Sequence, residues 1–252
     1  MKRVFITGAS SGIGAGLARF YASEGAQLAL LGRREAALAE LRASLPGRHS
    51  IYVVDARNRQ ALHAAARDFL AVGPVDVVIA SAGISAGTLT EELADYEVFE
   101  SIVKTNLLAT VATFEPFIAS MRQRKEGRLV GIGSVAGVRG LPGAGAYSAS
   151  KAAVRAYCES LRVELRSSGV KVVTIAPGFI QTPMTARNPY RMPFLMPVDR
   201  FVPRAVRAIE RGSSYQVIPW QMGVVAGLLG LVPNAVYDYF AAGRKRKPRI
   251  GE

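Results

Sequence analysis

RVFITGASSGIG, residues 3–14, sets a short apolar, β-branched run against Gly8, Gly12 and Gly14, with only small or apolar residues between them. The run reads as a strand and the residues from Gly12 onward as the start of a helix, so the glycines occupy a strand-to-helix turn. In such a turn the missing side chains let backbone amides approach a pyrophosphate at a helix amino terminus. The spacing is TGxxxGxG rather than GxGxxG, a variant of the dinucleotide fingerprint. Gly8, Ser10, Ser11, Gly12, Ile13 and Gly14 are its candidate contacts.

Outward from this turn, strand-like runs recur at residues 26–32, 50–56, 75–83, 127–134, 170–178 and 214–220. They are continuously apolar rather than alternating, as expected of parallel strands covered on both faces. Helical patterns such as REAALAELRASL and ALHAAARDFLAV lie between them. Strand, crossover helix and strand, repeated, predict an α/β fold: a single doubly wound domain with a parallel seven-stranded sheet flanked by helices on both faces. Ligands of such sheets bind beyond the carboxyl ends of the strands. We read residues 1–220 as the nucleotide-binding domain, including its catalytic residues. Residues 184–201, rich in proline and methionine, are expected to form a substrate lid within it, and residues 221–252 an apolar helical segment with a basic tail.

Composition narrows the chemistry. The chain has 252 residues, half of them apolar, and a net charge of +13. Its one cysteine, Cys158, forms no internal disulfide and reads as a small core residue, while His49 and His63 lie far from any metal-ligand pattern. MKRVFITG at the start has no signal-peptide character, so a cytoplasmic, metal-free protein is expected. The arginines are spread along the chain except at RKRKPR, residues 244–249, which reads as a solvated tail. No recognition motif surrounds that cluster, which argues against nucleic acid. The apolar run at 222–232 is too short to span a bilayer.

The end of the second strand selects the dinucleotide. A carboxylate there would hold the ribose 2′-hydroxyl of NAD, but the chain reads LLGRREAAL. Arg33 and Arg34 suit a 2′-phosphate instead, predicting NADP (NADPH), and Glu35 is expected to turn away within the next helix. Farther along, AYSASKAAV places Tyr147 and Lys151 on one side of a helix.

With Asp55 after the third strand, SAG at 81–83, Asn106 in KTNLLAT, Ser134 in GIGSVAG and PGFIQTP at 177–183, the chain resembles the short-chain dehydrogenase/reductases over nearly its full length. The resemblance implies that Asp55, with Ala56, meets the adenine. It implies that Ser81, Ala82, Gly83, Pro177, Gly178, Ile180 and Thr182 line the cofactor, and that Asn106, Ser134, Tyr147 and Lys151 form the catalytic set. Lys151 would hold the nicotinamide ribose, and Asn106 a water relaying protons to it. Ser81 departs from the asparagine of many relatives, so a changed local hydrogen-bond network is expected. The chemistry agrees. Hydride reduction of a carbonyl leaves an alkoxide that needs a proton donor and hydrogen bonds. A neighbouring ammonium and the oxidised nicotinamide are expected to bring the tyrosine pKa down.

The predicted reaction interconverts a ketone and a secondary alcohol on a lipophilic substrate. One alternative is reduction of a 3-oxoacyl thioester of a carrier protein or CoA, with the basic surface attracting an acidic carrier. Another is a non-catalytic nucleotide-sensing or membrane-associated binding protein. The carboxyl-terminal segment, with its Trp, tyrosines and basic tip, suits a subunit interface in a dimer or tetramer, or peripheral membrane contact.

Overall fold

The computed structural model describes residues 1–243 and 246–249. Its main sheet contains β1 (Arg3–Thr7), β2 (Gln27–Gly32), β3 (Ser50–Val53), β4 (Val77–Ala80), β5 (Arg128–Ile132), β6 (Lys171–Pro177) and, last in the chain, Tyr215–Ile218. Two short strands, β7 (Ile180–Gln181) and β8 (Met196–Pro197), pair with each other, which makes Tyr215–Ile218 β9. The main sheet is seven-stranded, in the order β3-β2-β1-β4-β5-β6-β9. Every pairing in it is parallel.

The helices are α1 (Gly12–Ser23), α2 (Glu35–Ala43), α3 (Arg59–Ala71), α4 (Asp95–Val103), α5 (Ala109–Arg124), α6 (Gly145–Glu164), α7 (Val198–Arg211), α8 (Trp220–Leu231) and α9 (Asn234–Ala241). The five inner strands read as unbroken apolar runs because both their faces are buried, while β3 and β9 at the edges are only partly covered. Val4 and Ile6 of β1 pack with Leu17, Leu38, Phe201 and Ile209 of α1, α2 and α7. Phe5, pointing the other way, packs with Leu62, Phe69, Phe114, Phe117 and Val154 of α3, α5 and α6. Burying a side chain of this size contributes about 1.5–3 kcal/mol. Cys158 is a buried free thiol in this second core, as its size suggests.

The chain winds outward from β1 through β2 to β3, then returns to β4 on the other side of β1. That reversal opens a crevice at the carboxyl ends of β1 and β4. It receives the glycine turn, the SAG turn and the start of α6.

Two boundaries and the reading of the tail differ from the sequence reading. The loop expected to run to residue 201 ends at β8, because α7 begins at Val198; β7 and β8 clamp its two ends together. The apolar run at 222–232 belongs to α8, which starts at Trp220. Arg139 caps the end of α8, donating to Leu229 O at 3.2 Å and Val232 O at 2.9 Å, and stacks on Tyr237 of α9. The basic tail is not simply solvated: Pro248 and Arg249 bond to the loop after β4 and to the start of α4. Arg244 and Lys245 lie outside the described residues. No helix among the described residues is long and apolar enough to cross a membrane.

Candidate active site

A cleft of about 580 Å³ lies along the carboxyl ends of the strands. Of the residues singled out from the sequence, it is lined by Gly8, Ser10, Ser11, Gly12 and Ile13 of the first turn and by Arg33 and Arg34 after β2. Asp55, Ala56, Ser81, Ala82, Gly83, Pro177, Gly178, Ile180 and Thr182 line it too, with Ser134, Tyr147 and Lys151. Gly14 and Asn106 do not.

The glycine turn is built for close approach. Gly8 and Gly12 have φ of +69° and +55°, where a side chain is strained. Gly14 packs the turn against itself: a Cβ there would come within 2.3 Å of Gly8 O. Its place is thus behind the cradle, holding α1 against the turn, while Gly8, Ser10, Ser11 and Gly12 face the cleft. Such a cradle fits a pyrophosphate at the amino terminus of α1.

Arg33 and Arg34 are exposed at the far end. Arg34 is partly committed, since its Nη2 donates to Ser10 O and Ser10 Oγ, both at 3.1 Å. Arg33 has no such tie among the described residues. Glu35 is the first residue of α2 and stays off the cleft wall. Asp55 is the one carboxylate lining the cleft among the described residues. It is gripped by Arg57, whose Nη2 donates to Oδ2 at 2.6 Å, and this hydrogen bond holds Asp55 below the ordinary carboxylate range. Arg57 had no distinguishing mark in the sequence.

At the other end, α6 presents Tyr147 and Lys151 one turn apart, with Lys151 Nζ 5.9 Å from the Tyr147 ring centre. Lys151 is 6% exposed and donates to Ile132 O at 2.7 Å. Burial pulls its ammonium down to about 8. Burial also raises the Tyr147 phenol, and a hydrogen bond with the Ser134 side chain draws it partly back. The expected lowering of Tyr147 is therefore not produced by the protein's own groups: desolvation outweighs them. Ser134 caps a short 3₁₀ turn, its Oγ accepting from Ala136 N at 3.1 Å.

Asn106 sits in a π-helical turn, Lys104–Leu108, between α4 and α5. It is fully buried beneath the cleft. Its Oδ1 accepts from Ile84 N at 2.8 Å, and its Nδ2 donates to Ile84 O at 3.1 Å and to Ser150 Oγ at 2.9 Å. The side chain is thus spent on joining the segment after Gly83 to α6. Ser150, which also donates to Tyr147 O at 2.8 Å, was missed in the sequence. Its only signal was the small polar stretch around Lys151. Thr185 was missed as well: its Oγ1 donates to Ile180 O at 2.6 Å and accepts from Thr182 N at 3.0 Å, shaping the turn after β7. Ser81 has no side-chain hydrogen bond to the Thr7 hydroxyl; that position is approached by Ala82 N at 3.5 Å.

Comparison with known proteins agrees with this geometry. The profile of the family described as short chain dehydrogenase matches residues 2–191. An uncharacterized oxidoreductase of Myxococcus xanthus is 38% identical, with 97% of each chain covered. A short-chain dehydrogenase from Sphingobium yanoikuyae in complex with NADPH is 27% identical, with 93% of this chain and 98% of that one covered and a TM-score of 0.78. A 3-oxoacyl-[acyl-carrier protein] reductase from Brucella melitensis with bound NAD is 26% identical, with 86% and 89% covered and a TM-score of 0.76. The glycine cradle, the seven-stranded sheet and the tyrosine–lysine turn of α6 thus occur in a chain that belongs to the short-chain dehydrogenase family, oxidoreductases that use a nicotinamide dinucleotide.

Proposed function

We propose that the protein is an NADPH-dependent reductase interconverting a ketone and a secondary alcohol on a substrate with a substantial apolar part, with Asn106, Ser134, Tyr147 and Lys151 as its catalytic machinery. The observation that carries this reading is the convergence of the Ser134 hydroxyl, the Tyr147 phenol and the Lys151 ammonium on one end of the cleft whose other end is the glycine turn.

NADPH bound along the cleft would supply the hydride. Tyr147 donates the proton to the carbonyl oxygen, and Ser134 hydrogen-bonds that oxygen as charge develops on it. Lys151, at about 8, lies near the operating pH and suits a group that passes protons on. Asn106 acts through position: with its side chain bound to Ile84 and Ser150, it holds the cleft floor to α6, and its backbone carbonyl already accepts from Thr110 Oγ1 at 2.8 Å.

NADPH is favoured over NADH by Arg33, which stands at the end of β2 with no carboxylate of that turn on the cleft wall. The lid reading of the loop between β7 and β8 is supported by its clamped ends and by the exposure of Met184, Phe194 and Leu195. On α8, Trp220, Val224, Leu228 and Leu231 form an exposed apolar row. We read it as a contact face for a second copy of the chain; adsorption of the pure protein to anionic vesicles would assign it to a membrane surface instead. The alternative substrate class, a 3-oxoacyl thioester, is favoured by the likeness to the Brucella melitensis reductase and by the net charge of +13.

The test is NADPH and NADH oxidation by purified protein against ketones of graded chain length and against free and carrier-bound 3-oxoacyl thioesters. Activity that rises with chain length and requires NADPH supports the reading. Turnover confined to carrier-bound thioesters, and salt-sensitive, selects the alternative. NADPH binding with no turnover across the panel returns the protein to a non-catalytic role.

A further inference from the structure

The tail segment Arg246–Arg249 lies over the same end of the cleft as Tyr147. Two loops make room for it. At Gly87, after β4, a Cβ would come within 2.2 Å of Lys247 O; at Gly143, before α6, a Cβ would come within 2.9 Å of the Arg246 side chain. The segment is tied down beyond that point. Gly87 N donates to Pro248 O at 2.8 Å, Arg249 Nε donates to Asp95 Oδ2 at 2.9 Å, and Arg249 Nη2 lies 3.2 Å from Glu92 Oε2. Asp95 is 6% exposed and also accepts from Leu89 N at 2.8 Å, so this anchor is itself fixed.

Between its two contacts the strap brings Lys247 to the cleft wall, which Ser85, Tyr147 and Arg187 also line. Among the described residues no carboxylate pairs with Lys247, and the single carboxylate of the cleft wall, Asp55, is at the adenosine end and held by Arg57. Burial depresses the Lys247 ammonium. A desolvated cation without a counter-charge is costly, and a bound anion removes that cost. The cofactor's phosphates have their own groups in the glycine turn and the Arg33–Arg34 corner, which leaves the strap to the substrate side.

We propose that Lys247, carried across the cleft by the Arg246–Arg249 strap, is a specificity-determining residue that receives an anionic group, carboxylate or phosphate, on the carbonyl substrate. This rests on the oxidoreductase reading of the cleft, and it narrows the substrate from an apolar ketone to one that also bears an acid.

The experiment uses the full chain with three probes of equal length: a medium-chain 3-oxo acid, its methyl ester, and a ketone ending in a phosphate. Each is followed by NADPH oxidation and, separately, by quenching of the fluorescence of enzyme-bound NADPH. Lys247→Gln is expected to raise KM and Kd for an acid-bearing probe about tenfold to a hundredfold, the usual worth of one charge-assisted hydrogen bond. The ester and NADPH itself should be unmoved, and Lys247→Arg should restore selectivity. A preference for the carboxylate or for the phosphate identifies the anion. Equal losses on acid and ester, a changed NADPH affinity, or no change at all would overturn the proposal. Binding of an acid that depends on Lys247 but leads to no turnover would sustain it while defeating the catalytic reading, so the two failures are distinguishable.

Discussion

Asn106→Ala separates a residue that merely anchors a water from one that holds the cleft floor. The amide makes three bonds, to Ile84 N at 2.8 Å, Ile84 O at 3.1 Å and Ser150 Oγ at 2.9 Å. Removing it orphans the amide and carbonyl of Ile84, a part-buried pair whose loss costs about 1–3 kcal/mol per group. Ser150 keeps its bond to Tyr147 O, so it adds little to the sum. The expected destabilisation is thus about 2–6 kcal/mol. For a chain of this size each kcal/mol moves Tm by about 2–4 °C, giving a fall of roughly 4–24 °C. Thermal unfolding followed by circular dichroism reads this directly, with urea unfolding as the check on ΔG. Asn106→Asp keeps an acceptor for Ile84 N but loses both donors, so it should fall short of wild type as well. A Tm within 2 °C of wild type for Asn106→Ala, with turnover lost, would refute the positional role and leave the side-chain amide acting on the reaction itself, directly or through a water.

Tyr147→Phe should lower turnover about 10²–10⁴-fold while NADPH binding by fluorescence stays near wild type; unchanged turnover would remove Tyr147 from the mechanism. Arg33→Ala should weaken NADPH about tenfold to a hundredfold and leave NADH nearly untouched. Arg34→Ala, which frees Ser10 in the glycine turn, should weaken both cofactors. Equal losses for the two cofactors in Arg33→Ala would sink the 2′-phosphate assignment. Lys151→Met removes a cation that burial depresses from 10.5 to about 8. Between those values the unfolded chain binds the proton and the folded chain does not, so wild-type stability rises with pH across that window. The depression corresponds to about 3 kcal/mol, borne in full below pH 8 and offset in part by the Ile132 hydrogen bond. The stability of the variant relative to wild type should therefore fall as pH rises from about 8 to 10.5, and a pH-independent difference would refute the assignment.

The sheet was legible because its five inner strands are buried on both faces, which leaves continuous apolar runs that local reading detects. The cleft was legible where backbone geometry restricts residue choice, as at Gly8 and Gly12, or where a pair lies one helical turn apart, as Tyr147 and Lys151 do. What escaped were contacts between distant segments. Nothing near Asn106 announces that its amide reaches Ile84 and Ser150, and nothing in RKRKPR shows that Gly87 and Gly143 leave a channel for its second half. A run of cations has the composition of a solvated tail, and only a partner such as Asp95, far away in the sequence, turns it into an anchored strap. Gly14 misled in the opposite sense. Its place in the fingerprint suggests ligand contact, but the space it preserves is for Gly8 O.

The directions of the shifts at Tyr147 and Lys151 bear on the roles proposed for them. Burial favours the neutral forms of both Tyr147 and Lys151. A neutral phenol is the proton donor that ketone reduction requires, whereas alcohol oxidation begins from the phenolate. In the field of the protein's own groups Tyr147 therefore rests as the neutral phenol, the proton donor of the proposed reduction. Oxidised nicotinamide carries a positive charge and its reduced form does not, so only the oxidised cofactor pulls the phenol towards phenolate. Under the proposed mechanism, the protonation state of Tyr147 follows the redox state of the cofactor, and Lys151 need not lower the phenol alone. Its proposed part is to stay close enough to neutral pH to exchange a proton, which desolvation arranges.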